Sequence, residues 1–375
     1  MRHSSPFFSQ LGDRIDSLGG LYNAHLHLDR SGTLAATRTL LEPRARGQES
    51  HLSLTTKHAL IPAIHASECY DPTEIERRVE WFLERMIEAG TTRAATVVDT
   101  TADRVGLSAL ETLRAIRDRR RGTIELEVGV YSPLGFRDDE PDRWRLLEAG
   151  AEIADFVGLL PERDDTRRYP DHVGFSECCR RGLRLAERHG MFIHIHADQM
   201  NHPREAASET VIRTVQELGL GTASAEVPWI WLVHVISPST YDERRFDRLL
   251  GDMVELNIGV ICCPSAAISM RQYRTVLTPT GNSIARVLEM AAAGVHVRLG
   301  SDNICDITSP AGTPDLMHEI YVLCNALRYY DVECLAKLGA GLRLDAADRM
   351  RLQRHLAEDR REIAAAADDR RAQVA

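Results

Sequence analysis

Apolar residues along the chain gather in short runs, and between these runs they recur three and four positions apart, which is the pattern of strands alternating with amphipathic helices. The first run spans about 21 to 27. A long connection follows to about residue 70, then a helix over 72 to 89, opened by Asp71-Pro72 and closed by Gly90. Further strand-like runs lie at Ala94 to Asp99, Ile124 to Tyr131, Asp155 to Leu160 (stopped by Pro161), Met191 to His196, Trp229 to His234, Gly259 to Cys263 and Val295 to Gly300. Helical patterns fill the later gaps at 203 to 218, 240 to 256 and 283 to 293. Eight strands, most followed by a helical pattern, predict an α/β fold, a parallel (β/α)8 TIM barrel, and exclude sandwiches and helix bundles. A doubly wound open sheet shares the same local alternation. No internal repeat or low-complexity linker interrupts residues 1–375, so the chain is read as one barrel domain. Residues 345–375 form a charged, alanine- and arginine-rich helical extension that packs on the outside or on a partner.

Polar residues at the run ends separate the barrel from the open sheet. His25 and His27 alternate along a strand and so share a face. Such a pair by itself is equally a surface accident or two core histidines bonded to carbonyls. His194-Ile195-His196 repeats the spacing, Val233-His234 ends a third run, and Gly300-Ser301-Asp302 ends a fourth. These groups close strands one, five, six and eight, which converge on one mouth only in a closed barrel. Histidines and an aspartate at several such ends are what a metal-dependent hydrolase on this barrel requires. His194 shares a face with His196 but lies deeper, where packing or support is the better reading.

Composition narrows the class. With 43% hydrophobic residues among 375, the chain can bury a large core. A net charge of −9 argues against a nucleic-acid partner. No unbroken apolar stretch approaches membrane length, and Met1 to Phe8 lacks the apolar core of a signal peptide, so a cytoplasmic enzyme of a small molecule is expected. Homo-oligomerisation is left open. The eight cysteines include the adjacent pairs Cys178-Cys179 and Cys262-Cys263 but no C-x-x-C, and read as small buried hydrophobes. The H-x-E and P-C-x-x-C signature of nucleoside-type zinc deaminases is missing, and His318-Glu319 has no second histidine to complete H-E-x-x-H.

Over about residues 20 to 330 the chain resembles the amidohydrolase superfamily, in its cytosine deaminase-like branch. The likeness rests on His25-Leu26-His27-Leu28-Asp29, Thr96-Val97-Val98-Asp99, Val157-Gly158-Leu159-Leu160-Pro161, His196-Ala197-Asp198-Gln199, and Gly300-Ser301-Asp302-Asn303-Ile304-Cys305-Asp306 with Pro310 and Gly312. The resemblance implies that His25, His27, His196 and Asp302 hold one divalent metal, zinc or iron, with His234 beside the metal-bound water. Such a donor set leaves an open position at which a water becomes acidic near neutral pH. Asp302 can then move its proton to the leaving nitrogen, and His234 can stabilise the oxyanion. Members with two metals bridge them through a carboxylated lysine at a strand end; the two lysines here, Lys57 and Lys337, close no strand.

Departures from the branch bear on the substrate. Gln199 stands where the family has a proton-moving glutamate, and a carboxamide cannot shuttle protons. The stretch Tyr131-Ser132-Pro133-Leu134-Gly135 lacks a base-recognising glutamine, the strand-eight aspartate pair is Asp302-Asn303, and Thr308 replaces a tryptophan. Cytosine is thus disfavoured. The small β-sandwich built in the superfamily from both chain ends is expected to be reduced or absent. The expected activity is hydrolysis of a non-peptide C–N bond in a small cyclic amide, lactam or amidine. Deamination of an amino-heterocycle and a catalytically inactive ligand-binding barrel are the alternatives.

Overall fold

In the computed structural model, which describes residues 5–41, 51–220, 226–270 and 284–374, the eight apolar runs become strands β1 Leu21–Leu26, β2 Thr91–Asp99, β3 Glu125–Tyr131, β4 Phe156–Leu159, β5 Ile193–Ala197, β6 Ile230–His234, β7 Gly259–Cys262 and β8 Val297–Leu299. Each pairs in parallel with its successor. The ring closes just beyond β8, where Asp302 bridges Leu26 and donates its backbone N–H to the His25 carbonyl at 2.9 Å. The fold is therefore the (β/α)8 barrel and not the open sheet. All strands among the described residues belong to this one sheet, so no β-sandwich accompanies it there.

Burial explains the near-continuous apolar runs, since every residue of β4 to β8 is buried between the barrel interior and the helices outside. Tyr131, Phe156, Trp231, Val233 and Ile261 fill the interior. Gly259 makes room for one of them: a Cβ there would come within 2.5 Å of the Trp231 ring. Towards the strand N-termini, Tyr22 donates to Glu127 at 2.7 Å and the Arg298 guanidinium lies 4.0 Å from the Trp231 ring, so that end is plugged. Chemistry is left to the opposite mouth.

The helix expected at 72 to 89 is Pro72–Glu88, followed by Gly90 at φ 91. Other helices begin later than their patterns suggest. The helix expected from 203 starts at Ala207, because the Asp198 carboxylate takes the N–H groups of Ala207 and Ser208 at 2.7 and 3.1 Å. The helix expected from 240 starts at Glu243, capped by Asp242, whose carboxylate accepts the Arg245 N–H at 2.9 Å. The one expected from 283 runs Val287–Ala293, and residue 283 lies outside the described residues. The long connection carries helices Leu34–Leu40, Leu54–Ala59 and Ile61–His65. An additional helix, Pro6–Ser17, buries Phe8, Leu11 and Ile15, and its Arg14 pairs with Glu333 at 2.6 Å. The tail is helical over Ala346–Val374; it buries Leu352, and Gln353 donates to the Ala292 carbonyl at 3.1 Å. No described helix is long and apolar enough to cross a membrane.

Candidate active site

At the open mouth the chain leaves its strands through left-handed turns at non-glycine residues. Asp198 (φ 58), His234 (φ 80), Val235 (φ 51) and Asp302 (φ 57) all adopt them. Each costs on the order of 1 kcal/mol, and such strain gathers where a side chain must be aimed.

The ends of β1, β5 and β8 bring His25, His27, His196 and Asp302 together, buried, with one ligand-type atom from each inside a span of 4.8 Å. His196 Nδ1 lies 2.9 Å from the Leu159 carbonyl oxygen, which only an N–H can bond, so its Nε2 is a bare acceptor. His25 Nε2 faces that atom at 3.2 Å, while His25 Nδ1 lies 3.2 Å from His194 Nδ1. With the His25 proton on Nδ1, towards His194, both Nε2 lone pairs converge on one point. Burial and the neighbouring imidazoles hold His25 and His196 well below the ordinary imidazole value, so neither gains a second proton. Burial alone would push the Asp302 carboxyl up, but the bond from His27 and the nearby imidazoles outweigh it and keep it below the usual carboxylate range. Asp302 Oδ1 stands 3.9 Å from His25 Nε2 and 3.3 Å from His27 Nε2. Neutral imidazoles and an ionised carboxylate converging in a buried spot fit a divalent cation. His27 carries a further constraint: Arg30 donates to its Nδ1 at 2.8 Å, which puts the ring proton on Nε2. Ligation through Nε2 would move that proton to Nδ1 and release the Arg30 N–H.

His234, at the end of β6, is buried and held neutral by burial, with Nε2 at 4.0 Å from Asp302 Oδ2. Its Nδ1 is buried without a partner, so the ring proton belongs on Nε2, towards the site. His194 lies beneath His25, its ring 4.5 Å from that of Phe156, in a supporting place. Gln199 reaches the mouth with its amide Nε2 2.6 Å from Glu162 Oε2. Burial and the Glu205 and Asp198 charges push the Glu162 carboxyl well above its ordinary value. His318 bonds Thr313 at 2.7 Å and Glu319 accepts the Ser265 N–H at 2.8 Å, two separate structural contacts.

A cavity of about 410 Å³ covers this floor, lined among others by Arg30, Lys57, His58, Tyr131, Gln199 and Asp302. Several groups on or beside this wall escaped sequence reasoning. Arg30 sits three residues after His27, a spacing that the strand pattern does not flag, and Glu162 follows Pro161 just outside β4. Lys57 and His58 belong to the long connection, where no periodicity points at the mouth. Behind the wall, His65 gives both ring nitrogens to carboxylates, Nε2 to Asp99 at 3.0 Å and Nδ1 to Asp103 at 2.7 Å. Burial would lower its pKa, but those two bonds raise it to about 9. Tyr70 joins Asp99 and Asp29 at 2.7 and 3.0 Å, and Arg30 Nε stands 3.3 Å from Asp99.

The family model described as Amidohydrolase family matches residues 18–366. An uncharacterized protein of Haemophilus influenzae is 26% identical over 294 residues, 76% of this chain and 98% of its own length. A pterin deaminase of Rhizobium rhizogenes is 21% identical over 63% of this chain, which spans about half (51%) of that protein. Among solved structures, 5-methylcytosine deaminase from Klebsiella pneumoniae, liganded with 5-fluorocytosine, superposes with a TM-score of 0.69 at 22% identity, covering 82% of this chain and 69% of that one. N-isopropylammelide isopropylaminohydrolase from Burkholderia multivorans superposes at 0.63 with 20% identity, covering 86% and 73%. Both likenesses concern the fold.

Proposed function

We propose that this chain, which belongs to the amidohydrolase family, hydrolyses a non-peptide C–N bond of a small cyclic amide, lactam or amidine with one divalent cation, zinc or iron, held by His25, His27, His196 and Asp302. The observation that carries the reading is the buried convergence of these four side chains on the cavity floor. When bound, the cation supplies Lewis acidity, lowering the pKa of a water and polarising the substrate carbonyl.

The chain's own groups do the rest. Asp302, ionised at neutral pH, accepts a proton from the attacking water and returns it to the ring nitrogen as the C–N bond breaks, leaving an acid and an amine on the opened ring. The Nε2–H of His234 donates to the oxygen that gains charge at the tetrahedral carbon. Gln199, braced by Glu162, holds the substrate amide and moves no proton. The buried Tyr131 ring on the cavity wall suits a flat ring. We place the enzyme in the cytoplasm, acting on a small molecule without a nucleic-acid or membrane partner.

Deamination of an amino-heterocycle is the second reading, favoured by the relatives named as deaminases. Elemental analysis of purified protein should find about one zinc or iron per chain. Metal-loaded protein should then be screened against cyclic amides and amino-heterocycles, with ammonia release followed beside the ring chromophore. Loss of the chromophore without ammonia supports ring opening, and stoichiometric ammonia with the ring intact replaces it by deamination. Protein without metal, or with two metals that are both needed, refutes the mononuclear scheme.

A further inference from the structure

Building on the hydrolase reading above, we propose that the substrate carries a carboxylate and that Arg30 and Lys57 receive it at the cavity wall. Two segments distant in sequence bring permanent cations to this cavity: Arg30 from the turn after β1 and Lys57 from the helix Leu54–Ala59. Among the described lining residues, Asp302 is the one carboxylate. A divalent cation on the floor would tip the balance further towards positive. The chain as a whole carries −9, so this concentration of positive charge runs against the general field.

Arg30 is 5% exposed and its Nε has no hydrogen-bond partner, although Asp99 lies 3.3 Å away. Asp99 also bonds His65 Nε2 at 3.0 Å and the Tyr70 hydroxyl at 2.7 Å, so the guanidinium shares that carboxylate with two other donors. One of its hydrogen bonds, 2.8 Å to His27 Nδ1, would be given up on ligation through His27 Nε2. A planar donor fork freed at the edge of a cavity suits a carboxylate, which it can bond in two places. Lys57, whose Nζ donates to the Thr308 carbonyl at 3.1 Å, adds a second charge on the covering segment.

The test uses zinc-loaded protein and two ligands that share a pyrimidinedione ring, uracil and its carboxylated counterpart orotate. Calorimetry should give orotate at least about tenfold tighter binding than uracil. Arg30→Met should abolish that ratio, Lys57→Met should narrow it, and Arg30→Lys should restore part of it. Zinc content and thermal midpoint are measured for each variant. If Arg30→Met loses zinc or stability, Arg30→Lys and Lys57→Met decide. A wild-type ratio near one, absent orotate binding, or a ratio unchanged in every variant overturns the proposal; the last outcome would mean the carboxylate meets zinc directly. Failure to hold zinc at all would instead strike the hydrolase reading, so the two failures are distinguishable.

Discussion

Replacing His65 with glutamine should change how stability depends on pH, and the size of the effect follows from its two carboxylate partners. A neutral imidazole has one N–H, yet Asp99 and Asp103 lie 3.0 and 2.7 Å from the two ring nitrogens, so the folded state favours the doubly protonated ring. Its pKa rises from the ordinary 6.5 to about 9. At about 1.4 kcal/mol for each tenfold in proton affinity, protonation contributes roughly 3 kcal/mol near pH 6.5 and less than about 0.5 kcal/mol by pH 9. The contribution is complete below the unfolded pKa and fades as pH climbs through the folded one. Denaturant unfolding of wild type and His65→Gln at pH 6.5, 7.5 and 9.0, with metal concentration fixed, isolates the term, because shared titrations cancel in the difference. The variant should be much less stable at pH 6.5, with the gap shrinking by about 2 to 3 kcal/mol by pH 9. A gap that stays constant across this window would show that His65 is not charged and that the Asp99 network is held otherwise.

Asp302→Asn keeps the shape of the ligand but removes the base; the rate should fall by about 10² or more with most metal retained, and near-normal turnover would place the base elsewhere. Gln199→Ala should raise KM more than it lowers kcat if the residue only holds substrate, whereas a gain in ammonia-releasing turnover by Gln199→Glu would favour deamination. Gly300→Ala should lower both thermal midpoint and metal occupancy, since a Cβ at that position would sit 2.7 Å from the His25 carbonyl oxygen; an unperturbed variant would mean the backbone there yields easily.

The barrel was readable because its strands are buried on both faces and so stand out as apolar runs even without period-two alternation. The residues that converge at the mouth were readable for a related reason: a polar side chain at the end of such a run has few places to go but the mouth. What the pattern could not show is carried by segments without period. His65, Lys57 and His58 lie in the connection after β1, and Arg30 and Glu162 lie just past strand ends. Helix starts were displaced for a similar reason, since the first turn of Ala207–Leu218 is set by Asp198, nine residues upstream of Ala207 and seen as a cap only once the chain is folded.

Closure of the ring between β1 and β8 also sets an order of events during synthesis. His25 and His27 emerge early, but Asp302 follows His25 by 277 positions, a delay of roughly 14 to 55 s at about 5 to 20 residues per second. Until the last strand docks and Asp302 bonds the His25 carbonyl, the nascent chain has imidazoles but no completing carboxylate. Under the proposed scheme, tight cation capture would be tied to the final folding step, and a truncated or half-made chain would lack the completing carboxylate.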